Sequence, residues 1–336
     1  MAMDIVKFTK KLMLIPSPSG QEREIGEFLI KRLESNFKVV RQKVGKRLNI
    51  LATRGLPKLL LTTHMDTVPG SPEVKESDGY LYGRGACDAK GIIAAMVFAS
   101  EEAISQGADD FGLLFDVDEE REFLGVRAAI GLVKPKMIVV GEPTNLKMAV
   151  NQKGLIGLEL KYYGKSASGA TPEAGISAID KLINSLHKLQ GARLPENRFL
   201  GKTTVNVGKI SGGTAANMVA DFAQASIEVR TTVPNAEAIK AMNRLFKGKN
   251  MDIKYSLEPV VSKKQTVFDK KASNRIILPY FSEMYFWSIV SGIRDVAVFG
   301  PGKYEYAHSD KERISKADLE RGKEAYLRLI LKFSGR

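Results

Sequence analysis

Three short apolar runs in this chain each stop at polar chemistry: LLLTTHMDTVPG at residues 59–70, FGLLFDVDEERE at 111–122 and MIVVGEPT at 137–144. The spacing predicts strands at Leu59 to Thr63, Gly112 to Val117 and Met137 to Val140. In open α/β sheets, ligand sites lie beyond the carboxyl ends of the strands. Three strands that close on His, Asp or Glu therefore point to a layered α/β fold with a polar site along one sheet edge. Working outward, Leu51-Ala52-Thr53 is a further strand candidate, and a helix rich in small residues follows Gly91 and ends near Gly107. Ser19 followed by Glu22 reads as a capping box, opening a helix whose apolar face carries Ile25, Phe28, Leu29 and Leu33.

From about Gly154 the texture changes. Strand patterns at Leu155 to Tyr162, Thr203 to Val207, Ala225 to Val233 and Met251 to Leu257 alternate with amphipathic helices at Gly175 to Leu189 and Asn235 to Phe246. That order, β-α-β-β-α-β, is the split unit of a ferredoxin-like domain. Lys-rich sequence near 262–274 leads back to apolar segments at Ile276 to Ile293 and Val296 to Phe299. Ser315 with Asp318 caps a last helix through Leu331. The expectation is a discontinuous larger domain, residues 1–153 and 265–336, carrying a smaller α+β domain at 154–264.

With 336 residues, 44% hydrophobic and 26% charged, the chain has room for two cores. The lone Cys87 leaves no internal disulfide framework, which suits a reducing compartment. The first twenty residues interleave Lys with apolar residues without a signal-peptide core, and no apolar stretch reaches the roughly 18 residues of a membrane span. A cytoplasmic protein is expected. The net charge of +13 raises the question of nucleic acid, but the basic residues are dispersed; Lys263-Lys264 and Lys270-Lys271 are the densest pairs. No nucleic acid and no membrane partner are expected, while a basic surface suits acidic substrates or an acidic carrier protein.

Of the three histidines, His187 falls within a helix beside Leu186 and Leu189, as a surface residue does. His64 follows a strand, two residues before Asp66. His308 lies in FGPGKYEYAHSDKE, after a strand and a Gly-Pro-Gly turn. The acidic partners are Asp116, Asp118, Glu119, Glu120 and Glu122 in one step, Asp88 in LYGRGACDAKG and Glu142 in VVGEPT. Such crowding is unfavourable without solvent or cations. Imidazole with carboxylate suits zinc, cobalt or manganese. Neither GRGACDAKG nor any other stretch carries a phosphate-binding glycine motif, and there is no G-x-S-x-G elbow. Asp88 beside Cys87 would raise the thiol pKa, against a cysteine nucleophile.

These motifs, HMDTVP, LYGRGACDAKG, the Asp-Glu-Glu step, GEPT, GGTAAN between Asn206 and Asp221, and the tail GPG…AHSDKE, stand in the order found in one enzyme family. Over essentially its whole length the chain resembles the acetylornithine deacetylase and succinyl-diaminopimelate desuccinylase family of dinuclear zinc amidohydrolases, with carboxypeptidase and aminoacylase relatives. The resemblance implies a zinc-exopeptidase-like α/β catalytic domain with an inserted ferredoxin-like lid. It also implies two divalent ions, zinc foremost with cobalt or manganese as alternatives, on His64, Asp88, Glu120, Glu142 and His308. Asp88 bridges in that pattern. The family pattern pairs His64 with Glu142 and Glu120 with His308, although the sequence alone does not say which ion each terminal ligand serves. Asp66 would accept the second ring N–H of His64. Glu119 would be the general base, taking a proton from the attacking water and passing it to the leaving amine.

In the lid, Asn217 and Arg230 match positions that contact the substrate carboxylate, with a surface ion pair as the alternative for Arg230, and Gly302 of the Gly-Pro-Gly turn is assigned to the substrate. The family places a histidine in the lid that reaches across a homodimer; here GKSASGATPEAG puts Ser168 at that position. The implied reaction is hydrolysis of an N-acylated small amino acid, as in N-acetylornithine or N-acetyl-lysine deacetylases, or of an amino acid on a carrier protein. A dipeptidase or carboxypeptidase on the same scaffold is the nearest alternative. A non-hydrolytic amino-acid-binding protein is the alternative from another class.

Overall fold

The computed structural model describes residues 4–70, 72–246, 250–261 and 275–334. They divide into two compact units. The larger comprises residues 4–150, 275–276 and 282–334; the smaller comprises Asn151–Val261 with Ile277–Phe281. The first division falls before Asn151 because Asn151 and Gln152 pair with Val261 and Val260. Lys153 N–H donating to the Leu278 carbonyl draws the later segment into the same unit. The expected return at 264/265 lies outside the described residues.

The larger unit is built on a mixed sheet. Strands Phe111–Asp116, Leu59–His64, Met137–Val140 and Asp295–Val298 run parallel in that spatial order. The first three of them are buried at every position, as continuous apolar runs covered on both faces should be. Strand Arg47–Arg54 adds antiparallel to Phe111–Asp116, and Lys38–Val44 completes a hairpin at that edge. The register sets His64 opposite Asp116. All four parallel strands therefore deliver their carboxyl ends to one side.

Helix Lys90–Ser105 is buried over most of its circumference, from Ile92 and Ile93 through Met96, Val97 and Ala99. Its small residues let it pack closely between neighbours, one of which is the C-terminal helix Lys316–Phe333. At Gly91 a Cβ would fall 2.3 Å from the Ala86 carbonyl oxygen, so only glycine allows the helix start to lie against that turn. Ser315 caps the C-terminal helix, its hydroxyl accepting from Asp318 N–H at 2.9 Å. The capping box expected at Ser19 does not form. Helix Arg23–Leu33 begins at Glu22 without a side-chain cap, because the Ser19 hydroxyl is committed to Asp66 instead. Among the described residues no helix is long and apolar enough to cross a membrane.

The smaller unit is a four-stranded antiparallel sheet in the order Thr204–Gly212, Phe222–Thr231, Gly154–Tyr163, Met251–Leu257, with helices Ala178–Gln190 and Asn235–Phe246. Phe222–Thr231 alternates buried and half-buried residues along its full length, the period-two pattern of a strand with one covered face. Ile156, Leu158, Ile227 and Val229 pack with Leu182, Leu189, Met242 and Phe246 to form the core.

Candidate active site

Everything in the candidate centre comes from the larger unit. His64 ends its strand fully buried, Nε2 lying 3.0 Å from Asp88 Oδ1. His308 approaches the same carboxylate from the other side, Nε2 3.2 Å from Asp88 Oδ2 and 2.9 Å from Glu120 Oε1. Asp88 thus presents one oxygen to each histidine. Ligand atoms of His64, Asp88 and Glu120 lie within 4.8 Å of one another, a potential metal site.

The Asp-Glu-Glu step is held from behind by Asp66. Its buried carboxylate accepts from Glu119 N–H at 3.1 Å, Glu120 N–H at 3.2 Å and the Ser19 hydroxyl at 2.6 Å. Asp118, just before, takes a left-handed backbone, φ 70°. Such a conformation costs about 1–3 kcal/mol and persists only where surroundings enforce it. Here Arg47 Nη1 donates to Asp118 Oδ1 at 2.6 Å and Phe123 N–H to its carbonyl at 2.8 Å. The turn directs two successive N–H groups at Asp66. The expected bond from His64 to the Asp66 carboxylate is corrected by this arrangement. His64 Nδ1 lies 2.9 Å from the Asp66 carbonyl oxygen and 3.6 Å from Oδ1, too far for a hydrogen bond.

The electrostatics are those of a site with too much negative charge for its burial. Burial first, then the Glu142 carboxylate, pushes Glu119 well above the usual carboxylate range. Burial and then Asp88 do the same to Glu142. Glu120 is also raised, chiefly by burial, although its bond to His308 opposes the rise. Burial would raise Asp88 too, but hydrogen bonds from His308 and His64 outweigh it and hold its pKa below the ordinary value. In return the histidines are raised, His308 to about 10, first by its bonds to Asp88 and Glu120. For His64, burial opposes the rise and its contacts with Asp66 and Asp88 outweigh it. Two imidazoles and three or more carboxylates around one bridging carboxylate are the donor set that suits zinc, cobalt or manganese. The residues present therefore fit divalent metal.

Sequence reasoning missed several supporting residues. Glu312, 1% exposed, accepts from Arg84 Nη1 at 2.6 Å and from the Cys87 and Asp88 N–H groups, each at 3.3 Å. Glu283 and Asp116, the latter already named among the acidic residues, are fully buried carboxyls whose oxygens have no hydrogen-bond donor among the described residues. Burial first, then the Asp116 charge, raises Glu283 well above its usual range, and burial raises Asp116 in the same direction. Ser19 stood in view as a supposed cap, and Glu312 in the tail motif four residues past His308. Nothing local marked their partners, which are 47 and 225 residues away.

The remaining expected residues stand as follows. Gly302 has φ 89°, and a Cβ there would fall 2.7 Å from Cys87 Cβ, so its absent side chain serves packing. In the smaller unit Ser168 is exposed, its hydroxyl accepting from Ala170 N–H at 3.2 Å. The exposed Asn217 accepts Gly169 N–H through its carbonyl. Arg230 is engaged by Glu228, at 2.8 Å through Nε and 2.7 Å through Nη2. His187 is exposed.

A parallel sheet whose strand ends bring imidazole and carboxylate onto one bridging Asp defines a metal-dependent hydrolase. Residues 60–332 match the description of peptidase family M20/M25/M40, and the chain belongs to that family. It is 32% identical to a peptidase M20 domain-containing protein of Schizosaccharomyces pombe, covering 98% of this chain and 84% of that protein. A probable carboxypeptidase of Aspergillus terreus is 30% identical over 97% of this chain and 85% of its own length. Among solved structures, a Staphylococcus aureus tripeptidase superposes with a TM-score of 0.83 at 22% identity, covering 99% of this chain and 98% of that one. An M20 family metallo-carboxypeptidase of Sulfolobus solfataricus does so with a TM-score of 0.78 at 17% identity, covering 100% of both chains. The fold is accordingly the mixed α/β fold of these peptidases.

Proposed function

We propose that this chain is a dinuclear metallohydrolase that cleaves an amide bond in a small substrate bearing a free carboxylate. His64, Asp88, Glu120, Glu142 and His308 are its ligands in this reading. The observation that carries it is Asp88, one carboxylate oxygen facing His64 and the other His308. Two divalent ions held there, zinc foremost, would polarise the scissile carbonyl and ease deprotonation of the attacking water.

The chain's own residues supply the rest. Glu119, whose chain neighbour Glu120 is a ligand in this reading, is the proton acceptor. It takes the proton from water at a carboxylate oxygen and returns it to the leaving nitrogen. Its backbone is fixed by the N–H bond to Asp66, so the carboxyl starts from a set position. Asp66 and Ser19 orient this step without touching substrate.

Short peptides are the first substrate class, because the S. pombe and A. terreus relatives carry peptidase and carboxypeptidase names. An N-acylated small amino acid, with N-acetylornithine and N-acetyl-lysine as the specific candidates, is the second, favoured by the LYGRGACDAKG and GEPT motifs. An amino acid carried on an acidic protein belongs with it, on the +13 net charge. A homodimer through the smaller unit is supported by its exposed edge strand Thr204–Gly212, where Ile210 is 62% exposed.

A substrate panel tests the choice. The protein, loaded in turn with Zn²⁺ and Co²⁺, is assayed on unblocked dipeptides and tripeptides and on N-acetyl and N-succinyl amino acids. Peptide turnover abolished by chelator is expected. Turnover confined to the blocked amino acids would transfer the conclusion to the second class. A folded protein that retains no metal and cleaves nothing would overturn both, in favour of binding without hydrolysis.

A further inference from the structure

We infer that Glu312 is a positioning residue, setting the Gly83–Asp88 loop so that Asp88 stands between the two histidines. The inference rests on the metal-centre reading above and extends it to a residue outside the ligand set.

Asp88 belongs to no strand. It follows a loop in which Gly83 and Gly85 take φ of 136° and 80°, values that leave the backbone with unusual freedom. Sheet pairing fixes one end of that loop. Tyr80, Leu81 and Tyr82 pair antiparallel with Ser315, Ile314 and Arg313, and the ladder continues as Gly83 N–H donates to the Glu312 carbonyl at 3.0 Å. The Glu312 side chain then fixes the other end. Oε1 accepts from both Cys87 N–H and Asp88 N–H, and Oε2 from the Arg84 guanidinium. Each 3.3 Å bond is long by itself, but the two N–H groups, the Arg84 guanidinium and the Cys87 thiol at 3.8 Å all converge on one buried carboxyl group.

The consequence is a fixed spacing. Glu312 stands four residues after His308, whose imidazole meets the Asp88 carboxylate at 3.2 Å. One residue therefore registers the segment carrying the bridging carboxylate against the segment carrying its second histidine. Glu312 faces the loop backbone and Arg84 and holds no place among the reacting groups, so its effect passes through Asp88.

The test compares chelator-stripped wild type, Glu312→Ala and Glu312→Gln. Co²⁺ binding is followed by calorimetry and visible absorption, and folding by circular dichroism. Wild type is expected to take up two ions. Glu312→Ala is expected to bind cobalt roughly 10–100-fold more weakly, with a changed absorption band. Glu312→Gln keeps an oxygen for the two N–H groups and is expected to fall between them; if the alanine variant does not fold, the glutamine variant carries the comparison. A role in stability alone would lower the melting temperature while leaving cobalt affinity and spectrum unchanged. That result overturns the inference and leaves the metal centre standing. Wild type that binds no cobalt overturns the metal-centre reading, and this inference with it.

Discussion

Glu119 and Glu142 in the larger unit and Glu159 and Asp252 in the smaller one are shifted in opposite directions. On the open face of the four-stranded sheet, Glu159 lies 3.0 Å from Lys254 and 3.2 Å from Lys161, and Asp252 lies 2.8 Å from Lys254. Hydrogen bonds from those lysines hold both carboxyls below their ordinary values. In the candidate centre, burial raises Glu119 and Glu142, and other carboxylates, Glu142 and Asp88 respectively, add to the rise. The surface group carries its own cations on flexible stems with water around them. Among the described residues, the buried group has two imidazoles, His64 and His308, for the same purpose. A region whose charge is not balanced by its own side chains marks where cations from outside belong, and that contrast is the physical content of the site.

The sharpest way to break the comparison is at the base. Glu119→Gln removes the proposed proton acceptor, keeps the size and leaves every proposed ligand in place. Turnover is expected to fall roughly 10²–10⁴-fold with metal content near that of wild type by elemental analysis. Activity within a few-fold of wild type would place the base elsewhere.

Next in size is the response of the stripped protein to pH. Glu119, Glu142 and Glu283 have raised pKa values in the folded chain. Their contribution is complete below the ordinary carboxylate value of about 4.3 and is lost as pH rises through the raised values. His64 and His308 act in the same direction from about 6.5 upward, His308 up to about 10. Asp66 and Asp88, which are lowered, contribute fully above about 3.9 and oppose the trend only in acid. The metal-free protein should therefore lose stability from about pH 5 upward. The rise in melting temperature on adding metal should be greater at pH 8.5 than at pH 6. An equal or smaller gain at the higher pH would show that the buried carboxyls are not what the ions relieve.

The smallest effect belongs to the surface. Glu159→Gln removes a carboxylate shared by two exposed lysines, and exposed pairs contribute little. No measurable change is expected in turnover or in melting temperature at physiological salt. A marked loss of either would mean that this sheet face carries more than solvated charge.

Local pattern carried much of this into view. Helix Asn235–Phe246 and strand Met251–Leu257 fall where hydrophobic periodicity placed them, because each packs one apolar face on a single core. The strand expected to end at Val207 runs on to Gly212 through a register shift after Val207; its later residues, Gly208, Lys209, Ile210, Ser211 and Gly212, are exposed, and a lone isoleucine makes no apolar alternation. Strand Lys38–Val44 was hidden for the same reason, being largely polar at a sheet edge. In the site, residue type and position after a strand exposed His64, Glu119, Glu120 and Glu142. The groups behind Asp66 and Asp88, namely Ser19, Arg84 and Glu312, act through partners distant in the chain, and periodicity does not report long-range bonds.

The larger unit is interrupted, and the interruption has a consequence during synthesis. Strand Met137–Val140 takes Asp295–Val298 as its parallel neighbour, so about 155 residues must leave the ribosome before that edge is covered. At 5–20 residues per second this is a delay of roughly 8–30 s. For that time a fully apolar strand edge stands open to pairing with other chains, while the smaller unit has already emerged almost whole. A nascent chain therefore carries Asp88, Glu120 and Glu142, the proposed acidic ligands, well before His308 arrives, and chaperone occupancy should concentrate in that interval.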